Sequence, residues 1–288
     1  MKTLIVKARA GLGNRLLGLT AGITLAKAAQ RTLYVDWSDE TYADNGMNTF
    51  YKYFSLSNVD FIDLMPTSGS YFPKCWALHP RQSPATLLHN THFNRQYDTR
   101  IGLDDVHRSE DNLVFWSYDS MYDELAKKYF YQPEHDVLKQ MFSKHIQFDD
   151  EYEQKAALFM SKFKPCIGVH YRHMDRRTLT DVEDIFDIIT TFEQLPILVC
   201  SDNIDVVIKF RDRFGSRVFT LPKWYPPAVE VSMHNSVLCS NREQNLQEAI
   251  MDVLALSHCR YLIRTKASSF SLIPELIENA IEKVVRVP

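Results

Sequence analysis

The chain has no C-x-x-C pair, no apolar run long enough to cross a membrane, and almost no net charge. Its five cysteines, Cys75, Cys166, Cys200, Cys239 and Cys259, are odd in number and widely spaced. That pattern argues against a disulfide framework or a zinc ribbon and fits a reducing compartment. No window approaches the ~18 apolar residues of a spanning helix. At the amino end only Leu4, Ile5 and Val6 stand between Lys2 and Lys7, fewer than the roughly 7 to 15 of a signal peptide. A soluble, cytoplasmic protein with no membrane span is expected. Lysine and arginine number 33 against 36 aspartates and glutamates, a formal charge of -3, too even for a nucleic-acid binder that works by bulk electrostatics. Any anion must be held locally. No D-x-D motif stands at the end of an expected strand, and the pairs His89/His92 and Asp149/Asp150 fall in a polar loop and at a helix start. No metal site is expected from such placements.

What is present is a globular composition, 45% hydrophobic and 24% charged over 288 residues, enough for one large domain or two of ordinary size. Thr3 to Val6 is a short apolar run broken at Gly11 and Gly13. Leu16, Leu19, Ile23 and Ala26 then recur at helical spacing as far as Gln30, and Thr32 to Asp36 reads as a second strand. Strand, helix and strand within about 35 residues is the size of one βαβ unit with parallel strands, so the fold class is α/β. Residues 38 to 112 carry no clear period, and only a weak strand is expected at Val59 to Ile62. Leu113 to Trp116 reads as a buried strand, followed by helices at about Met121 to Phe130, Glu134 to His145 and Asp149 to Phe163.

The charged segment Gln147 to Glu153 marks the expected boundary between residues 1–150 and 151–288. Beyond it the α/β rhythm is plainer: strand Pro165 to Tyr171, helix Val182 to Phe192, strand Ile197 to Cys200, helix Ile204 to Phe214, strand Arg217 to Thr220. A loop with Pro222, Pro226 and Pro227 precedes a helix with Leu246, Ile250, Val253 and Leu254 on one face. A strand at Tyr261 to Ile263 and a final helix, with Pro274 in its first turn and carrying Ile277 and Ile281, complete the pattern.

Three places could carry chemistry. Gly11-Leu12-Gly13-Asn14-Arg15 joins a strand to a helix, where close backbone approach and free N–H groups attract an anion and Arg15 could reach a phosphate bidentately. The turn lacks the third glycine of a dinucleotide fingerprint and the lysine of a P-loop, and a plain tight turn would use the same glycines. His170 to Arg177, reading HYRHMDRR, follows an apolar strand. Alternation puts His170 and Arg172 on one face, at the strand end where α/β folds bind ligands. In Ser257 to Ser271, reading SHCRYLIRTKASSFS, Ser268 and Ser269 place hydroxyls and backbone N–H groups at a helix start; serine is also the commonest helix cap. The aromatics of residues 34 to 54 are read mainly as core.

Together, GLGNRL after the first strand, H-x-R-x-x-D after a middle strand, and a helix carrying Asp252 followed by a strand and SSFS resemble the fucosyltransferase superfamily. RTLYVDW, LPKWYPP and LALSHCRYLIRTKASSFS bring the resemblance closest to its nodulation type, alongside the core α1,6-fucosyltransferases and protein O-fucosyltransferases. The resemblance implies a GT-B-like architecture of two Rossmann-like domains facing across a cleft: residues 1–150 on the acceptor side and 151–288 holding the nucleotide-sugar donor. It also implies transfer of fucose from GDP-fucose to a glycan or other hydroxyl acceptor, with no metal and no further cofactor. Carried over, His170 and Asp252 would contact the guanine and ribose end. Arg172 would hold the diphosphate, with Ser268, Ser269 and Phe270 lining it, and Asn14 and Arg15 would reach phosphate or sugar from the first domain. Relatives with H-x-R-R have an arginine where this chain has His173, a charge Arg176 or Arg177 could replace. Sugar transfer builds negative charge on the leaving diphosphate, which arginines and helix N-termini stabilise, and an inverting reaction needs a carboxylate base. Asp181 and Asp175 rank ahead of Asp36 for that role. A transferase using another GDP-sugar, or a non-catalytic GDP-sugar-binding module, are the rival readings.

Overall fold

The structure is a computed structural model, described over residues 2–90, 99–119, 121, 134–173, 180–192, 194–226, 238–266, 268–277 and 280–288. The chain divides into two compact units, Met1–Asp149 and Asp150–Pro288.

The first unit is built on a sheet of order β2-β1-β5-β4, formed by β1 (Thr3–Lys7), β2 (Thr32–Asp36), β4 (Tyr71–Phe72) and β5 (Asn112–Phe115), all paired in parallel. The helix α1 (Leu12–Ala28) lies so close to this sheet that two of its glycines have no room for a side chain. A Cβ on Gly22 would come 2.3 Å from Val6 Cγ2, and one on Gly18 would meet the Ser117 carbonyl oxygen at 2.8 Å. At the other end of the sheet Arg31 donates to the carbonyls of Arg108, Glu110 and Asp111, tying the loop before β5 to the start of β2.

The stretch without a period is made of short pieces. A one-turn helix α2 (Phe50–Tyr53) runs into β3 (Phe54–Leu56), which pairs antiparallel with β6 (Ile146–Phe148), and α3 (Pro84–Asn90) follows later. The aromatics there are core, as Phe50 stacks on Phe54 at 5.5 Å and Trp37 sets its edge against both. The strand expected at Val59 to Ile62 is reduced to a single bridge between Leu33 and Phe61. The helix expected at about 121–130 lies outside the described residues, whereas α4 (Glu134–His145) forms as expected.

The second unit is a five-stranded parallel sheet of order β11-β10-β7-β8-β9: β7 (Ile167–Tyr171), β8 (Ile197–Ser201), β9 (Val218–Phe219), β10 (Tyr261–Thr265) and β11 (Lys283–Val287). Helices α5 (Asp150–Met160), α6 (Val182–Thr190), α7 (Ile204–Phe214), α8 (Arg242–Ser257) and α9 (Ser269–Leu276) accompany the sheet. In α6 the buried residues Val182, Ile185, Phe186 and Ile189 recur at helical spacing and Glu183, Asp184 and Asp187 face out, each buried side chain worth about 1.5–3 kcal/mol relative to exposure. Cys166, just before β7, donates its thiol hydrogen to Cys259 Sγ at 3.5 Å behind the sheet.

The end of the chain differs from the sequence reading. Ser268 caps α9 by accepting from the Ser271 N–H, so the helix opens well before Pro274, which lies inside it. The helix stops at Leu276, short of Ile277 and Ile281, and Lys283–Val287 adds a strand, β11, that the sequence reading did not place. A local serine cap outweighs the usual first-turn preference of proline, and the β-branched Val284 and Val285 take a place beside β10.

Candidate functional site

β7 is the middle strand of the second unit, and His170 lies near its carboxyl end with Arg264 of β10 and Cys200 of β8 as lateral partners. The His170 ring is 7% exposed and stacks on Phe270 with centroids 5.2 Å apart. Burial, followed by the charges of Arg172, Lys223 and Arg264, pushes its pKa down to about 3. At neutral pH the ring is an uncharged imidazole with one donor and one acceptor nitrogen. Its Nδ1 is buried and has no hydrogen-bond partner among the described residues.

Asp252 comes to the same place from α8. Its Oδ2 pairs with Lys223 Nζ at 2.5 Å, with side chains 7% and 4% exposed respectively, while its Oδ1 is buried without a partner. Burial works against the lysine charge, but Asp252, Cys200 and Tyr225 override it and raise the Lys223 pKa. Burial, with Asp252 adding to it, pushes the Cys200 thiol well up, so this cysteine is a protonated neighbour and not a nucleophile. Two buried polar atoms lacking partners, on residues of one cluster, are unusual in a folded protein and point to a ligand that supplies the missing donors and acceptors.

The remaining second-unit residues frame this cluster. The backbone N–H of His173 donates to Asp202 Oδ1 at 2.8 Å, fixing the turn after β7 against the end of β8. Arg172 lies in that turn, near enough for its charge to be felt at His170. Ser268 spends its hydroxyl oxygen as the α9 cap, leaving Ser269 as the first helical residue and Phe270 against His170. Behind them Glu275, in the last turn of α9, pairs with Arg264 of β10 and with Arg286 of β11, at 2.6 Å in the second case, and anchors that turn to the two strands. Asp181 is the exposed residue that opens α6 and makes no side-chain cap of its own. Asp175, Arg176 and Arg177 lie outside the described residues.

In the first unit Asn14 is half-buried in the first turn of α1. Arg15 is placed differently from the anion-holding position expected for it. Its side chain is wholly enclosed, with Nε donating to the Ala10 carbonyl at 2.7 Å and both terminal nitrogens to Asp39 at 2.8 and 2.6 Å. The rings of Tyr42 and Trp37 cover it at 4.8 and 5.5 Å. Burial alone would raise the Asp39 pKa, but the Arg15 charge and hydrogen bonds from Arg15 and Thr41 bring it below the usual range. Arg15 is therefore an interior clamp on the glycine turn, and the Leu12 N–H at the start of α1 is taken by the Tyr42 hydroxyl. Asp36 is likewise enclosed, bound to Lys7 at 2.6 Å and to Ser38.

Sequence reasoning missed Lys223, Asp202 and Glu275. The one available signal for Lys223 was a lone cation between Pro222 and Trp224 in an otherwise apolar loop. Among the described residues no group of three or more His, Cys, Asp or Glu side chains could hold a metal ion, and no helix is long and apolar enough to cross a membrane.

The nodulation protein Z of Azorhizobium caulinodans is 24% identical over 309 residues, spanning 96% of this chain and 89% of that protein. Among crystal structures, NodZ alpha-1,6-fucosyltransferase soaked with GDP-fucose superposes with a TM-score of 0.64 at 17% identity, covering 96% of this chain and 92% of that one. POFUT1 in complex with GDP-fucose gives 0.55 at 10% identity over 99% and 97%. The α/β fold with two parallel sheets is thus shared with GT-B-like fucosyltransferases across nearly the full length. The sequence profile of the nodulation protein Z (NodZ) family matches residues 1–286, and the chain belongs to that family.

Proposed function

We propose that this protein is a glycosyltransferase that moves fucose from GDP-fucose to a hydroxyl group of a glycan acceptor. The observation that carries the reading is the pair of orphaned buried atoms, His170 Nδ1 and Asp252 Oδ1, at the carboxyl end of a parallel sheet in a chain of the NodZ family. A guanine edge offers the complementary set: N1–H and N2–H for the carboxylate oxygen, and ring acceptors for an imidazole N–H. Residues 151–288 would hold the donor and residues 1–150 the acceptor.

In the transfer the bond from the sugar C1 to the diphosphate oxygen breaks as the acceptor oxygen attacks, and negative charge builds on the leaving diphosphate. Arg172, the N-terminal N–H groups of α9 at Ser269, and Arg176 are the groups we assign to stabilise it, in the role a metal ion plays in other transferases. Ser268 positions that helix start, and Phe270 and His173 border the nucleotide. Asp181, exposed at the start of α6, and Asp175 are the candidate bases for the acceptor proton. Free cysteines throughout the described residues suit a reducing, cytoplasmic setting.

Calorimetric titration with GDP-fucose, GDP-mannose and UDP-glucose in the presence of a chelator tests this directly. GDP-fucose is expected to bind most tightly, and release of GDP on adding a glycan mixture distinguishes an enzyme from a binding module. Tighter binding of UDP-glucose, or dependence on a divalent metal, would refute the assignment.

A further inference from the structure

A second group of polar atoms stands at the carboxyl end of the first unit's sheet. Arg9 follows β1, and Trp116 and Tyr118 follow β5, the parallel neighbour in register with it. The Arg9 guanidinium lies against both rings, 4.8 Å from the centre of Trp116 and 4.9 Å from that of Tyr118, and its Nε donates to the Tyr118 hydroxyl. Arg100 packs on the same Trp116 ring at 5.3 Å and donates to the Trp116 carbonyl at 3.1 Å.

The neighbouring cations set Arg9 apart. Lys7 is neutralised by Asp36 and Arg15 by Asp39. Among the described residues no carboxylate pairs with Arg9, and its Nη1 is buried without a hydrogen-bond partner. Leaving a buried charged donor unsatisfied is costly, and such an atom calls for an acceptor from outside the chain. The residue as a whole is half-buried, and Tyr118 beside it is 39% exposed. Ligands of parallel α/β sheets bind outside the carboxyl ends of the strands, and the planar guanidinium, packed against two aromatic rings, offers a pair of donors that matches a carboxylate.

We propose that Arg9, Trp116 and Tyr118 form a subsite for a carboxylate-bearing saccharide, with Arg9 taking the carboxylate and the exposed Tyr118 ring taking the apolar face of a sugar. Neutral hydroxyl groups would satisfy the orphaned N–H but leave the charge uncompensated, whereas an acidic sugar does both. The subsite rests on the reading of the first unit as the acceptor side and adds that the acceptor carries an acidic residue.

The test uses the full chain with trigalacturonate and neutral galactotriose as probes, followed by saturation-transfer NMR and calorimetry, with GDP-fucose titrated on the same protein. Trigalacturonate should bind at least tenfold more tightly than galactotriose. Arg9→Gln should abolish that preference, and Tyr118→Ala should weaken both saccharides, each variant keeping its circular dichroism. Equal binding of the two probes, no binding of either, or an undiminished preference in Arg9→Gln overturns the subsite. A loss of GDP-fucose affinity in Arg9→Gln also overturns it, by assigning Arg9 to the donor. Failure of GDP-fucose to bind the unaltered protein would instead sink the fucosyl-transfer reading, with the saccharide comparison still deciding the subsite.

Discussion

Lys223 Nζ lies 2.5 Å from Asp252 Oδ2 in a pocket where neither side chain retains more than a trace of solvent contact. Removing one member of such a pair strands the other charge, at a cost of about 3–5 kcal/mol. Lys223→Met is therefore expected to lower the urea midpoint of unfolding markedly and to weaken GDP binding at least tenfold. Equilibrium unfolding and calorimetry on the same preparation check both; an unchanged midpoint would show that the pair is not worth its burial.

Arg172 is expected to act on the transition state more than on ground-state binding. Loss of a charge-assisted partner at a developing anion costs about 2–4 kcal/mol, so Arg172→Ala should lower turnover about a hundredfold or more while the protein stays folded. Arg172→Lys should fail nearly as badly because an ammonium cannot reproduce the planar fork. Initial rates of GDP release decide the matter, and near-normal rates in Arg172→Ala would shift the role to Arg176 or Arg177.

His170 gives a pH dependence with a definite sign. Its folded pKa, about 3, lies below the ordinary 6.5, so as pH falls the unfolded chain takes up a proton first. Its contribution to stability is intact above pH 6.5 and is lost progressively as pH drops toward 3. Urea midpoints measured from pH 7 to pH 4 should fall less steeply in His170→Asn than in the unaltered protein. Equal slopes would mean that the imidazole is charged in the folded state.

Gly168 of β7 faces the thiol pair: a Cβ there would sit 2.7 Å from Cys259 Sγ and 3.0 Å from Leu256 Cδ2. Gly168→Ala should destabilise by about 1–3 kcal/mol, the usual cost of overpacking. Adding Cys259→Ala should restore part of that loss by making room. Thermal melts of the single and double variants measure the recovery, and strict additivity would mean that the sulfur is not the obstacle.

Where an element was local and bounded, the sequence announced it. Thr32–Asp36 is an apolar run closed off on both sides and became β2 with those limits, and Ile204–Phe214 carries its stripe from an Asn203 cap that accepts from the Asp205 N–H to a left-handed Gly215. The described part of residues 38 to 112 stayed obscure because it holds a one-turn helix, strands of two and three residues, a seven-residue helix and packed aromatics, none long enough to show a clear period. At the carboxyl end Ile277 and Ile281 imitate a helical face while Lys283–Val287 belongs to the sheet. His170 and Phe270 could be picked out as candidates because each sits at an element end, and the fold stacks their rings on one another. Lys223 was hidden because its meaning depends on Asp252, a partner distant in sequence and joined only by folding, and Arg15 looked like an anion ligand because nothing local reveals Asp39.

The parallel pairing has a consequence for how the protein is made. Thr3 takes its place beside Asn112, and Ile167 beside Tyr261, so the middle of each sheet closes only over a long intervening chain. Pairings of that separation fold slowly, because loop entropy is lost before contacts repay it. On the ribosome β1 and β2 emerge ahead of β5 as a single βαβ unit, with one flank of β1 waiting for β5. Until Asn112–Phe115 appears, that flank is a bare row of N–H and C=O groups open to strand pairing with another chain.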